Sequence, residues 1–291
     1  MNKAIVLLLA STLLTGCQST AERETENKLA SLRCWHFRDQ QPITREQISY
    51  IRERSDNGDL LCKTMLGDLY ERGHGVPQDV SKAKLLYQAV AEVNPSAYYQ
   101  LGRLEDEGIG APPDYVKARE FYQRAAALPD NSASKNHLAR LMEDGKGGPE
   151  DPEGALRLYF SALTVSWGDA WEGIGRLRAR GLVLTAEQEK RYNQAWVAST
   201  TARLRSKLRS VQRGLSKNLE PGAAKRPVKF QLEYIPGSNV PTISLLEGSG
   251  DDAIDQAVLQ AMSSYRFSGE PILPEGQKSW KVNSSLHLNV P

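Results

Sequence analysis

No stretch of this chain is apolar for long enough to cross a bilayer as a helix. The longest run, Ala4 to Leu14 with Ser11 and Thr12 inside it, falls short of the roughly 20 residues that a spanning helix needs. Neither sign of charge dominates: 37 Lys and Arg stand against 35 Asp and Glu, a net charge of +2. That balance argues against nucleic acid as the partner of the whole chain. Histidine is scarce, and His36, His74, His137 and His287 are scattered with no partner at metal-ligand spacing, so each reads as structural or exposed. No Gly-X-Ser-X-Gly, Cys-X-X-Cys or phosphate-loop pattern occurs. Carboxylates are plentiful but fall on turns and helix starts, where structure accounts for them. The reading is therefore of a non-enzyme, with no catalytic residue, no metal and no cofactor beyond a covalent lipid.

That lipid is expected at the start of the chain. Met-Asn-Lys supplies a positive charge, the run from Ala4 supplies a short apolar centre, and Leu14-Thr15-Gly16-Cys17 supplies small residues at a cut site, the pattern of a removed secretory signal. With cysteine directly after Leu-Thr-Gly, the segment resembles the lipobox of bacterial lipoproteins. The resemblance implies a signal peptide over residues 1–16 and acylation of Cys17, with palmitate. Gln18, where aspartate would signal inner-membrane retention, implies an outer-membrane anchor facing the periplasm. An ordinary signal peptide with a stray cysteine and an uncleaved inner-membrane anchor are the alternatives. Residues 17–28 are polar, without aromatics, and read as a lipidated tether. With Cys17 lipidated, Cys34 and Cys62 remain as an even pair in an oxidising compartment: either a disulfide or two buried free thiols.

The middle of the chain repeats itself. Leu66-Gly67, Leu69, Gly73-His74-Gly75, Asp79, Lys82-Ala83, Tyr87 and Ala91 return 35 positions later as Leu101-Gly102, Leu104, Gly108-Ile109-Gly110, Asp114, Lys117-Ala118, Tyr122 and Ala126. A looser third copy has Leu138-Ala139, Gly145-Lys146-Gly147, Asp151, Ala155, Tyr159 and Ala162. A fourth start, Gly173-Ile174-Gly175 to Gly181, decays into a cap. Each copy predicts two antiparallel helices joined by a Gly-X-Gly turn. The aspartate caps the second helix, and alanine and tyrosine four apart share its buried face. Such pairs bury their apolar faces only by stacking. The pattern resembles the Sel-one-like repeats, relatives of the tetratricopeptide family, over residues 59–182. It implies a right-handed superhelix used as a protein-binding scaffold. Residues 43–57 read as the second helix of a degenerate leading unit, so that the array spans residues 29–185.

After Thr185 the period changes. A long helix over 186–220 carries Arg203, Arg205, Lys207, Arg209, Arg213 and Lys217 with no acid before Glu220; it reads as a solvated face or as a surface for anionic lipid, lipopolysaccharide or an acidic partner. Residues 221–291 begin with alternation of period two, Val228, Phe230, Leu232 and Tyr234, then a Pro-Gly-Ser-Asn turn and a second strand, Val240 to Leu246. Gly248-Ser249-Gly250 is either an anion nest or a turn capped by Asp251 or Asp252. It opens a helix with Ile254, Val258 and Met262 on one stripe, and Trp280 to Leu288 gives the last strand. This order, with Asp255-X-Ala257-Val258, Phe267, Pro271 and Pro274, resembles the C-terminal domain of the TonB and TolA energy transducers. There the last strand is an edge that pairs with an extended partner. Mapped here, the edge is Lys281, Val282, Asn283, Ser284, Ser285, Leu286, His287 and Leu288.

The fold expected is multidomain, α plus α+β: a helical-repeat solenoid followed by a small β-β-α-β domain. The function expected is a periplasmic scaffold lipoprotein that binds periplasmic or outer-membrane proteins, with its lipid in the membrane. A cell-wall or membrane-associated structural protein touching peptidoglycan or anionic lipid, and a transducer with a retained anchor, are the alternatives.

Overall fold

The computed structural model describes residues 29, 31–129, 131–163, 167–218 and 224–288. The expected signal peptide, Cys17 and the expected tether lie outside them, as does Glu220. Packing divides the chain into two compact units between Leu158 and Tyr159.

The first unit is helical throughout. Helix α1 is described over residues 31–38, followed by α2 (Arg45–Asp56), α3 (Leu60–Arg72), α4 (Val80–Ala91), α5 (Ser96–Glu107), α6 (Tyr115–Ala126) and α7 (Ser132–Glu143). Helix α8 (Pro152–Ala162) contains the division between units. Helices α3 with α4 and α5 with α6 are the hairpins that the repeated landmarks predict, and α1 with α2 forms the leading pair. Residues Cys34 and Cys62, both fully buried, are bonded at Sγ–Sγ 2.11 Å with their Cα atoms 5.2 Å apart, joining α1 to α3.

The turns repeat as closely as the sequence does. Leu69, Leu104 and Leu141 each accept from the amide five residues on, His74, Ile109 and Lys146, at 2.9–3.0 Å. This bond closes a helix through a left-handed residue, here Gly73, Gly108 and Gly145, all at positive φ. The second glycine of each turn, Gly75, Gly110 or Gly147, is also at positive φ, and its missing side chain admits the preceding helix pair. A Cβ on Gly110 would sit 2.7 Å from Val80, and one on Gly147 would sit 2.1 Å from the Tyr115 carbonyl oxygen. Asp79, Asp114 and Asp151 then donate their amides back to Tyr70, Glu105 and Met142 at 2.8–3.0 Å. Their carboxylates accept the amides of Lys82, Lys117 and Gly154, each cap stabilising by about 1 kcal/mol.

The second unit, from Tyr159, holds α9 (Trp167–Ala179), α10 (Ala186–Leu215), β1 (Val228–Ile235), β2 (Ser238–Glu247), α11 (Asp252–Met262) and β3 (Trp280–Leu286). The antiparallel sheet has the order β2-β1-β3, so both β2 and β3 are edges. Alternation decides the faces: Val228, Phe230, Leu232 and Tyr234 are buried with Ile254, Val258 and Met262 of α11, while Lys229 is exposed. Helix α10 is more than a connector. Its stripe of Trp196, Leu204, Leu208 and Val211 belongs to the same core, and the Trp196 indole packs edge-on to Tyr234 and Trp280.

A loop between α11 and β3 is strapped onto α10. Tyr192 donates its hydroxyl to the Glu270 carbonyl at 3.2 Å, and the Trp196 indole N–H donates to the Gly269 carbonyl at 3.3 Å. Asn193 bonds both main-chain groups of Ile272 at 2.8 Å. Gly269, at positive φ, lies so close to the Trp171 ring of α9 that any Cβ there would overlap it, and Trp171 stacks on Tyr192.

Candidate protein-binding surfaces

The first unit carries an open groove of about 520 Å³. Helix α3 contributes Leu61, Thr64 and Met65; the start of α5 and the turn before it contribute Asn94, Ser96, Tyr99 and Gln100; Leu128, Pro129 and Asn131 follow α6. Met65 is buried and forms floor, whereas Leu61, Tyr99 and Leu128 are half-buried and accessible. The repeat places first helices side by side, so the same face of successive units lines one surface. Apolar side chains ringed by amides suit a partner's side chain while its main chain meets the polar rim.

The array also holds polar rungs that its sequence does not announce. In α4, the Tyr87 hydroxyl donates to Glu71 of α3 at 2.9 Å, and Arg103 of α5 pairs with the same carboxylate. One repeat on, Tyr122 donates to Asp106 at 3.2 Å, and His137 of α7 stands 3.4 Å from that carboxylate while stacking on the Tyr122 ring. Burial first, and the neighbouring carboxylates second, push the ionisation of both tyrosines well above the ordinary range. Gly67 and Gly102 make room for these rings: a Cβ would come within 2.7 Å of Tyr87 or 2.6 Å of Tyr122. The available signal was a constant interval, since tyrosine follows an acid by 16 residues in both copies. These contacts explain His137 as structural, and Tyr99 of the groove packs against both the Tyr122 and His137 rings.

The second surface is the free side of β3. Its pairing with β1 runs unbroken from Tyr234↔Trp280 to Val228↔Leu286, without a proline, and no described backbone group outside β1 bonds to it. Lys281, Asn283 and Ser285 are exposed, Val282 and Ser284 half-buried, and Leu286 buried; His287 and Leu288 lie past the end of the strand. An open depression lined by Gln277, Lys278, Ser279, Trp280 and Lys281 adjoins its start. The β2 edge differs. The Asn239 carbonyl is engaged by the Phe267 amide at 2.9 Å, Pro241 has no N–H to offer, and the register shifts near Leu246.

Gly248-Ser249-Gly250 is a turn in which the central amide is satisfied from within. The Ser249 amide donates to Asp255 Oδ1 at 2.7 Å, and Asp251 caps α11 by accepting from Ala253 and Ile254. A buried carboxylate of the chain itself thus occupies the place an external anion would take. Among the described residues no group of three or more His, Cys, Asp and Glu is positioned to hold a metal, and no helix is long and apolar enough to cross a membrane.

Comparison with known proteins adds to this geometry. The Sel1 repeat family matches residues 61–92, 95–130 and 132–163. A Sel1 repeat protein from Oxalobacter formigenes superposes with a TM-score of 0.51 at 20% identity, over 64% of this chain and 76% of that one, a likeness of fold. The protective antigen c5321 of uropathogenic Escherichia coli, described as displaying an SLR fold, is 26% identical over 52% of this chain, with a TM-score of 0.46. This chain spans about a third of that protein's length, 32%. No curated protein matches. The helix pairs, their Gly-X-Gly turns and the matched intervals agree: between residues 61 and 163 this chain carries three Sel1 repeats in succession.

Proposed function

We propose that this protein is a non-enzymatic scaffold of the bacterial envelope, acylated at Cys17 and held at the periplasmic face of the outer membrane. Sel1 repeats generally mediate protein–protein interaction, and the groove beside Leu61, Tyr99 and Leu128 is the surface on which the array grips a partner protein. The C-terminal module captures an extended segment of a second partner by adding it to β3, as its resemblance to the TonB and TolA domains implies. The observation that carries this second part is the contrast between the sheet's two edges: β3 is continuous and open, whereas β2 is interrupted by Pro241 and engaged at Asn239. Main-chain bonds would supply affinity and alternate side chains selectivity. Energy transduction by this chain alone is not part of the proposal, because a lipobox stands where transducers keep an uncleaved helix.

Proline substitution tests the edge directly. In an antiparallel edge strand, alternate residues aim their N–H at the neighbour and at the open side, so Asn283 and Ser285 share one direction and Ser284 has the other. One parity of proline therefore breaks the ladder to β1, and the other removes only a donor facing the partner. Crosslinked envelope partners should be lost from the folded proline variant. Retention of every partner by a folded variant of the open-side parity would refute strand addition. Mass spectrometry of the N-terminal peptide tests the anchor, with an unmodified Cys17 as the contrary result.

A further inference from the structure

Helix α10 has acids only in its first turn, Glu187 and Glu189. Beyond them it carries Arg203, Arg205, Lys207, Arg209 and Arg213, and Lys217 follows in a short 3-10 turn, Ser216–Asn218. Arg205, Arg209 and Arg213 recur every fourth residue, about 6 Å apart along the axis, and Lys217 extends the row. All four are exposed. Like charges at this spacing repel one another and weaken the helix, yet none of the four is paired with a described carboxylate. The Arg213 Nε reaches the Arg209 carbonyl of its own helix at 3.4 Å, and the adjoining Lys207 gives its ammonium to Ser264 Oγ at 2.7 Å.

The row cannot turn inward, because the opposite stripe, Leu204, Leu208 and Val211, is buried against β1. Beside it stand Ala202, Ser206, Ser210 and Gly214, all exposed and short. Protein interfaces rest on aromatic or apolar anchors inside a polar rim, and this face offers none. A helix that inserts into lipid needs a free apolar face, and here the sheet has taken it. What suits unpaired cations flanked by small side chains is a broad anionic surface met at headgroup depth. We propose that Arg205, Arg209, Arg213 and Lys217 hold the second unit against the phosphate-bearing headgroups of a membrane. This contact is separate from the groove, the β3 edge and the acyl chain.

The test uses the mature chain with Cys17→Ser, so that no lipid contributes, in sedimentation with phosphatidylcholine vesicles with and without phosphatidylglycerol. Binding is expected only to the anionic vesicles and should weaken with salt. The variant R205Q/R209Q/R213Q/K217Q should lose about 1000-fold in affinity with its thermal transition undiminished, since repulsion is relieved. A charge-matched control elsewhere, R33Q/R45Q/R157Q/K225Q, should bind as the parent does. The proposal is overturned if the parent ignores anionic vesicles at low salt, or if the row variant binds as the parent does. Equal loss in the control, or tighter binding to an oligonucleotide or to poly-glutamate than to vesicles, also overturns it. Should the row variant misfold, R209Q alone decides, with a severalfold loss expected and an unchanged affinity contrary.

Discussion

The two halves of this molecule reach order by different routes. In the array, each helix is set by neighbours a few residues away and by an identical arrangement one repeat on: a glycine turn, an aspartate cap, a tyrosine under the next pair. In the second unit, the strap at Gly269 to Ile272 is held by side chains of α10 more than 70 residues earlier. Local and reiterated order leaves its trace in sequence; singular, distant contacts leave little. Trp196 belongs to both the β1 core and the strap, so the small sheet depends on a helix that the sequence presents as long and basic. Removal of residues after Leu219 would expose Leu204, Leu208 and Val211, so point variants separate the two surfaces better than truncation does.

Perturbations of each half in turn sharpen that contrast. The largest effect is expected for Trp196→Ala, which removes the centre of the aromatic cluster and the anchor of Gly269; it should destabilise the second unit by about 3–5 kcal/mol. Denaturant unfolding followed by hydrogen exchange should show protection lost in β1 and α11 and kept in α3 to α6. Equal loss in both would show the halves to be one cooperative body. Reduction of Cys34–Cys62, or Cys34→Ser with Cys62→Ser, opens a link between residues 28 apart and should cost about 3 kcal/mol, with exchange rising first in α1 and α2. Tyr87→Phe leaves the buried Glu71 carboxylate one donor short and should cost about 1–3 kcal/mol. Tyr122→Phe should cost less, because the Asp106 carboxylate is less buried.

Alkaline pH gives a smaller, graded effect. Burial pushes Tyr192 up to about 12, so between the ordinary tyrosine range near 10 and that value the unfolded chain has lost a proton that the folded chain keeps. Stability contributed by the neutral phenol is full below about 10 and declines as pH rises towards 12. Tyr192→Phe should flatten the fall in melting temperature over that interval, and an unchanged slope would assign the alkaline loss to other groups.

Periodicity made the array readable down to single residues: the capping roles of Asp79, Asp114 and Asp151, the positive φ of both turn glycines, and the burial of Tyr87 and Tyr122. Alternation likewise placed β1 and its inward face, and helical spacing placed Ile254, Val258 and Met262. Other features were hidden. Asp255 reads as one more acid in a helix's first turn, and only the fold brings it under the Ser249 amide. Glu71 and Asp106 read as turn carboxylates, although their constant interval to tyrosine was present in the sequence. For the candidate surfaces, β3 could be named as a strand, but the obstruction of β2 depends on a bond between Phe267 and Asn239 that no local pattern announces. The groove arises only when successive helix pairs are stacked.

If the groove and the β3 edge bind two different partners, affinity purification from crosslinked envelopes separates them. A groove variant, Gln100→Arg with Leu128→Asp, and a folded β3 proline variant should each lose a distinct set of partners that the other retains. Loss of one and the same set from both, or retention of all partners by both, would contradict it.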